Sequence, residues 1–219
     1  MNRVNLTRIL ITAGATQEPI DGVRFIGNRS SGQLGVALAL SSAVAGYEVT
    51  LLLGANSTQP TFHPRLRTVP FSSTRDLKAK LLELWPTHHI LIMAAAVADF
   101  TLKNGQIEGK IRRGDALQID LIPTDDIVSG LAQTSRTDQR ILAFALENPE
   151  DLVTSAQEKL KRKNVDAIVA NPLATMHANT ISAEIFCKDG RHISPSHNMP
   201  KPQFADWIID RLDEILNIT

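Results

Sequence analysis

Between Gly27 and Gly35 the chain reads Gly-Asn-Arg-Ser-Ser-Gly-Gln-Leu-Gly, directly ahead of a helix-compatible run from Val36 to Ala45. Ser30 or Ser31 is placed to cap that helix by accepting a bond from its first unpaired N–H groups. Those N–H groups, with the positive end of the helix dipole, are what a phosphate needs. The glycines permit close approach of a ligand and positive φ. A capped glycine loop also serves as an ordinary strand-to-helix turn, so the residues of this stretch alone leave both roles open.

Other chemistries have less to stand on. There is no Gly-x-x-x-x-Gly-Lys-Ser/Thr phosphate loop. Gly32-Gln33-Leu34-Gly35 supplies only part of the Gly-x-Gly-x-x-Gly dinucleotide fingerprint, and Glu48 falls inside the next strand-like run. No Gly-x-Ser-x-Gly elbow occurs, and the six histidines lack helical metal spacing. The single cysteine, Cys187, excludes an intramolecular disulfide framework and lies in a strand-like run, which suits a buried, inert thiol. Lys+Arg 23 balance Asp+Glu 23, whereas a general nucleic-acid or membrane-surface binder carries a basic excess. The polar start Met1 to Arg8 shows no apolar signal segment and no run is long and apolar enough to span a bilayer, so a cytoplasmic chain with neither nucleic-acid nor membrane partners is expected.

The elements that must position the loop follow from apolar runs and turn residues. With 43% hydrophobic residues in 219, the chain can bury a full core as one domain, residues 1–219. Arg8 to Gly14 reads as a buried parallel strand, followed by a long polar segment to Asn28. A helix from about Ser31 to Ala45, stopped by Gly46, and a strand from Tyr47 to Gly54 complete a βαβ unit. Residues 55–70 read as a loop with a short edge strand at Val69 to Phe71. Ser72 or Ser73 caps a helix to Trp85, and His89 to Ala96 is a central strand. Gly105 to Arg113 and Leu117 to Leu121 flank Gly114-Asp115 and predict a hairpin. Asp125 and Asp126 open a helix to Gln133. Arg140 to Ala145 and Val165 to Asn171 are strands around a helix from Glu150 to Lys163. Thr180 to Phe186 and Arg191 to Ser194 predict a final hairpin around Asp189-Gly190, and one closing helix runs from Lys201 to Ile218. The expected fold is α/β: a Rossmann-like, doubly wound, mostly parallel sheet with a projecting β-hairpin arm over roughly residues 100–123.

The ordered set Ile11 to Asp21, Gly27 to Gly35, Ala94 to Asp99, Lys110 to Arg113, Lys159 to Lys163 and Asp166 to Asn171 resembles phosphopantothenoylcysteine synthetase of coenzyme A biosynthesis, in its bacterial form. The resemblance covers about residues 8–190 and is to the synthetase half of a bifunctional flavoprotein. It implies ligation of 4′-phosphopantothenate to cysteine through an acyl-cytidylate, with CTP as co-substrate and Mg²⁺ offsetting the repulsion between carboxylate and phosphate. It also implies a homodimer with the arm near its two-fold axis, no FMN in this half, and a decarboxylase as a separate partner.

Carried over by position, the resemblance makes Lys110 the catalytic lysine acting on the α-phosphate or the acyl-cytidylate, and Asn28 the amide that holds the acyl intermediate. Asp99 would meet ribose, base or Mg²⁺. Gly14, Ser30, Ser31, Gly32, Met93, Ala94 and Ala95 would line the nucleotide, with Ala95 also at the acyl substrate. Ile122, Pro123, Thr124 and Asp125 would surround the cytosine, Phe144 would lie beside the nucleotide, and Lys159 and Lys163, sharing a helix face, would reach the triphosphate. Each also has a plain structural role available: a solvated lysine, a turn asparagine, a capping aspartate, a core phenylalanine, or basic residues at a helix end. Departures are Ala15 for a proline, Gln33 for a lysine, Arg112 and Arg113 for lysines, and Asp125 for a proline. They weaken nucleotide preference most, leaving CTP against ATP open. A nicotinamide-dependent reductase and a non-catalytic nucleotide-binding regulator are the competing classes.

Overall fold

Apolar runs bounded by Gly, Pro and Asx turns become strands, and the 3.6-periodic runs between them become helices. The computed structural model describes residues 7–114, 117–176 and 178–218. In chain order the elements are β1 (Arg8–Ala13), β2 (Gln17–Pro19), β3 (Phe25–Gly27), α1 (Gln33–Val44), β4 (Glu48–Gly54), β5 (Leu66–Phe71), α2 (Thr74–Leu84), β6 (Ile90–Met93), β7 (Phe100–Leu102), β8 (Leu121–Pro123), α3 (Ile127–Gln133), β9 (Arg140–Glu147), α4 (Leu152–Lys163), β10 (Ala167–Pro172), β11 (Thr180–Ile181), β12 (Glu184–Cys187), β13 (His192–Ile193), β14 (Met199–Pro200), α5 (Lys201–Asp210) and α6 (Leu212–Leu216). Among these, no helix is long and apolar enough to cross a membrane.

One sheet of eight strands has the order β13-β12-β10-β9-β6-β1-β4-β5. Its strands from β10 to β5 run parallel, and β12 and β13 add an antiparallel edge. Numbered by sequence, the parallel strands lie in the doubly wound order 3-2-1-4-5-6, so the winding reverses between β1 and β6. Alternation along each strand divides the core: Ile9, Ile11 and Ala13 of β1 join the layer of α1, α5 and α6, while Leu10 joins that of α2, α3 and α4.

Several elements depart from the sequence-based expectation. β5 is six residues long and pairs with β4 from Val49↔Leu66 to Gly54↔Phe71, longer than the edge strand expected. The polar segment after β1 folds into its own β2–β3 hairpin. The closing helix is two, broken at Arg211 (φ −111°, ψ 11°). The expected final hairpin is present around Gly190, but Thr180–Ile181 leaves it to pair with β14.

The expected hairpin arm over residues 100–123 is present, but it pairs only at its base. Gly105 to Arg113 and Leu117 to Leu121 do not pair as strands; the ladder is Phe100↔Pro123 to Leu102↔Leu121, and the expected Gly114-Asp115 turn lies partly outside the described residues. Gly105 and Gly109 adopt φ of 74° and 75°, which breaks an extended run. The backbone spends its donors on the β2–β3 turn instead: Ile107 N donates to Ile20 O (2.9 Å), and Gly22 N donates to Gly109 O (2.7 Å). Asp21 closes the clamp. One of its oxygens accepts from Val23 N and Arg24 N (both 2.8 Å), the other from the Arg24 guanidinium (2.6 Å) and Ile111 N (3.0 Å).

Burial pushes the Asp21 pKa up, but the N–H donors of Val23, Ile111 and Arg24 and the Arg24 charge outweigh it, and the carboxyl titrates below the usual aspartate range. The folded pKa being the lower one, the clamp is complete above the ordinary aspartate pKa and is lost only as pH falls through the depressed value. Asp21→Asn replaces an acceptor of Arg24 and Ile111 with a donor. Amide exchange at Ile107 and Ile111 should then quicken by roughly an order of magnitude, with the sheet amides unchanged. Unchanged rates at both amides would show that the arm is held by other contacts.

Candidate active site

The site is built where the winding reverses. Beyond the ends of β1 and β6, buried hydroxyls stitch the two strand exits together. Thr12 Oγ1 accepts from Ala95 N (3.1 Å), and Thr16 Oγ1 accepts from Ala98 N (2.9 Å) and from Thr74 Oγ1 (3.1 Å). Glu18, 3% exposed, accepts from Thr74 N at the start of α2 (2.8 Å) and from Thr101 Oγ1 of β7 (2.9 Å). Ala96 N donates to Gly14 O (2.8 Å), extending the β1–β6 alignment one step past the sheet. These buried acceptors, Thr12, Thr16 and Glu18, were not singled out from the sequence.

The helix start differs from expectation in one respect. Neither serine caps α1: its N-cap is Gly32 in the left-handed region (φ 73°), and no side chain bonds the first helical amides. Ser30 Oγ instead accepts from Gly32 N, one residue too early (3.4 Å). A serine at the cap position would need Gly32's positive φ, which disfavours a Cβ. Val36 N is the first amide satisfied within the helix, by Gly32 O (2.9 Å), so the preceding turn presents its N–H groups outward. Gly14 (φ 87°) lies behind this loop against Ser57 and Gly32 rather than on the cavity.

A cavity of about 760 Å³ opens over these amides. It brings together Asn28, Ser30, Ser31 and Gly32 with the strand-end residues Met93, Ala94, Ala95 and Phe144, the carboxylate Asp99, and Lys159 and Lys163 of α4. Asn28 Nδ2 donates to Val97 O (2.9 Å), which fixes the loop to the end of β6 and leaves its second amide hydrogen and its oxygen for a ligand. A second cavity of about 380 Å³ adjoins the first, sharing Met93, Asp99 and Lys163 and adding Pro123, Thr124 and Asp125. Thr124 is held there by Asp99 O, which accepts from its N–H (2.9 Å), and by Ala98 O, which accepts from its hydroxyl (2.6 Å). Ile122 is half-exposed in β8 beside this loop and lines neither cavity.

Charge is unevenly compensated. Lys159 Nζ lies 2.6 Å from the buried Glu147, and Lys163 Nζ lies 2.7 Å from Asp126. Burial raises the Asp126 pKa, but the Lys163 bond and the amide of Ser129, which Asp126 caps, outweigh it and hold the carboxyl below the usual range. Asp125 pairs with Lys78 of α2. Asp99 has no side-chain partner among the described residues, and it is the carboxylate available to a hard cation. No cluster of three or more His, Cys, Asp or Glu forms among the described residues.

Lys110 is not brought to either cavity of its own chain. It stays exposed on the arm, between the anchored Gly109 and Ile111. Conversely, Arg29, Arg162 and Lys201 line the large cavity without having been named from the sequence. The first two sit inside stretches already singled out. Lys201 lies far along the chain in a segment with no motif.

Over residues 4–216 the chain matches the family described as DNA/pantothenate metabolism flavoprotein C-terminal domain. It is 43% identical over 171 residues to a protein named cysteine/cysteine sulfinic acid decarboxylase from an unknown prokaryotic organism, covering 78% of this chain and 47% of that one. It is 35% identical over 198 residues to the coenzyme A biosynthesis bifunctional protein CoaBC of Vibrio cholerae, covering 86% and 48%. The chain thus spans about half the length of these relatives. Its fold superposes on the crystal structure of the C-terminal domain of a CoaBC protein with a TM-score of 0.82 at 30% identity, each chain covered completely. Sequence and fold together place this chain in the DNA/pantothenate metabolism flavoprotein C-terminal domain family.

Proposed function

We propose that this chain ligates 4′-phosphopantothenate to cysteine at the expense of CTP. The observation that carries the proposal is a single cavity holding free helix-α1 amides, the Asn28 amide and the basic face of α4, in a chain of this family. In the first step the acid's carboxylate oxygen attacks the α-phosphorus, a P–O bond forms, and pyrophosphate leaves with the electrons of the broken bond. In the second step the cysteine amine attacks the acyl carbon, loses a proton and displaces CMP. Acyl and nucleotidyl groups are transferred and no redox state changes, so the reaction calls for no flavin.

Two anions must meet in the first step, and residue roles follow from that repulsion. The α1 amides with Ser30, Ser31 and Gly32 cradle phosphate oxygens, Lys159 and Lys163 neutralise the triphosphate, and the Thr124 loop meets the base. Asn28 donates to the acyl oxygen without adding charge. Mg²⁺, which Asp99 and the phosphates suit, supplies further charge neutralisation when bound. Lys110, which lines neither cavity of its own chain, would add positive charge at the α-phosphate of a second copy, carried there by the arm. The homodimer proposed with this reaction seats the arm against a second copy. Support comes from Phe25 (49% exposed) and Phe100 (52%), on strands of the two small ladders that lie against each other through β2 and β7. A decarboxylase that supplies the partner activity would be a separate protein or domain.

The test is incubation with phosphopantothenate, cysteine, Mg²⁺ and either CTP or ATP. Pyrophosphate and amide product with CTP are expected. Nucleotide binding without turnover would favour a regulator, and NADPH oxidation a reductase. Lys110→Gln should cut amide formation by roughly 10²- to 10³-fold with an unchanged melting temperature. Near-normal turnover would remove Lys110 from the mechanism.

A further inference from the structure

Lys201 is an anomaly by ordinary helix energetics. It occupies the first position of α5, where the positive end of the dipole disfavours a cation. It is partly buried, and burial alone pushes its ammonium below the usual lysine range; no carboxylate among the described residues raises it again. Pro200 and Pro202 flank it and restrict its backbone, and its N–H donates to Asn179 O (3.0 Å), while the β11–β14 ladder pairs Pro200 with Thr180. A lysine fixed at this cost, lining a cavity and without a carboxylate partner among the described residues, points to an anion supplied from outside.

Its place in the cavity narrows the class of that anion. Met93, Asp99, Arg162 and Lys163 line both cavities and so form the side continuous with the Thr124 loop. Lys201 lines only the larger one, with Asn171, Thr175, Met176 and Ile181, residues of β10, β11 and the segment between them. Lys159 and Lys163, on α4, already have carboxylates that hold them in place. We infer that Lys201 is a substrate-binding residue, holding an oxyanion of a non-nucleotide substrate on the side of the cavity away from the Thr124 loop. This rests on the ligase reading, in which that oxyanion is either the phosphate monoester of the acid substrate or the carboxylate of the amino acid.

The experiment compares Lys201→Met, which keeps an apolar stem, and Lys201→Arg, which keeps the charge, with the parent enzyme. For Lys201→Met the KM of one non-nucleotide substrate should rise roughly tenfold or more, with the KM of CTP within about twofold and substantial recovery in Lys201→Arg. If the phosphate is held, the variant loses its preference for phosphopantothenate over pantothenate. If the carboxylate is held, it loses its preference for cysteine over cysteamine. Unchanged KM values for both substrates, or a rise for CTP alone, would overturn the assignment. Should the parent protein show no turnover, the ligase reading fails by itself, and acetylation of Lys201 followed by mass spectrometry still decides. Protection by phosphopantothenate or by cysteine upholds the site, and equal labelling with and without them rejects it.

Discussion

Asn28→Asp should lower amide formation by roughly two to three orders of magnitude while nucleotide binding changes far less. The substitution is nearly isosteric, so the loop can keep its shape. What changes is the group presented to the cavity. The amide that donates to Val97 O (2.9 Å) becomes a carboxylate facing a carbonyl oxygen. The same charge would face the acyl oxygen that the amide is proposed to stabilise, where a donor helps and an anion repels. Loss of one exposed hydrogen bond costs about 1 kcal/mol, so the fold should survive. Single-turnover measurement of amide product, beside a melting curve, separates the two effects. Normal turnover by a folded variant would end the proposed role of Asn28.

Gly35→Ala should disrupt the packing of α1 on β1. A Cβ there would lie 2.5 Å from the Cβ of Ala13 and 3.1 Å from Thr12 O, atoms of the central strand that have nowhere to move. Overpacking of this kind costs about 1–3 kcal/mol, partly offset by the helix preference of alanine, about 1 kcal/mol. At roughly 2–4 °C per kcal/mol for a chain of this size, a melting temperature lower by several degrees is expected. Relief of the clash must also tilt α1 off β1 and displace its free amides, so phosphate binding should weaken with stability. Gly130→Ala in α3 is the control, because nothing lies within 4 Å of its added Cβ, and it should be neutral or slightly stabilising. Equal melting temperatures for the two variants would show that α1 does not approach β1 as closely as described.

Much of this protein is legible in its sequence because the responsible forces are local. Apolar runs closed by glycine or aspartate mark the strands that form the sheet, and Ser73 and Asp126 cap α2 and α3 through Asp76 N and Ser129 N, as their positions suggest. The spacing of four between Lys159 and Lys163 puts both on one face of α4, and both line the cavity. The order of motifs along the chain carried the family resemblance, since it reflects the order in which the strand ends are wound.

Tertiary structure decided the rest, wherever a group's partner lies far away in sequence. Ser30 looks like a cap until Gly32 takes the left-handed position and moves the helix start past it. The 105–113 run looks like a strand until Asp21, ninety residues from Ile111, offers a better acceptor than a neighbouring strand does. Lys201 carries no signal in the sequence, because its meaning lies in the lack of a carboxylate beside it among the described residues. Local sequence determines which backbone shapes are available, whereas burial and long-range pairing determine which polar groups are left free to meet a substrate.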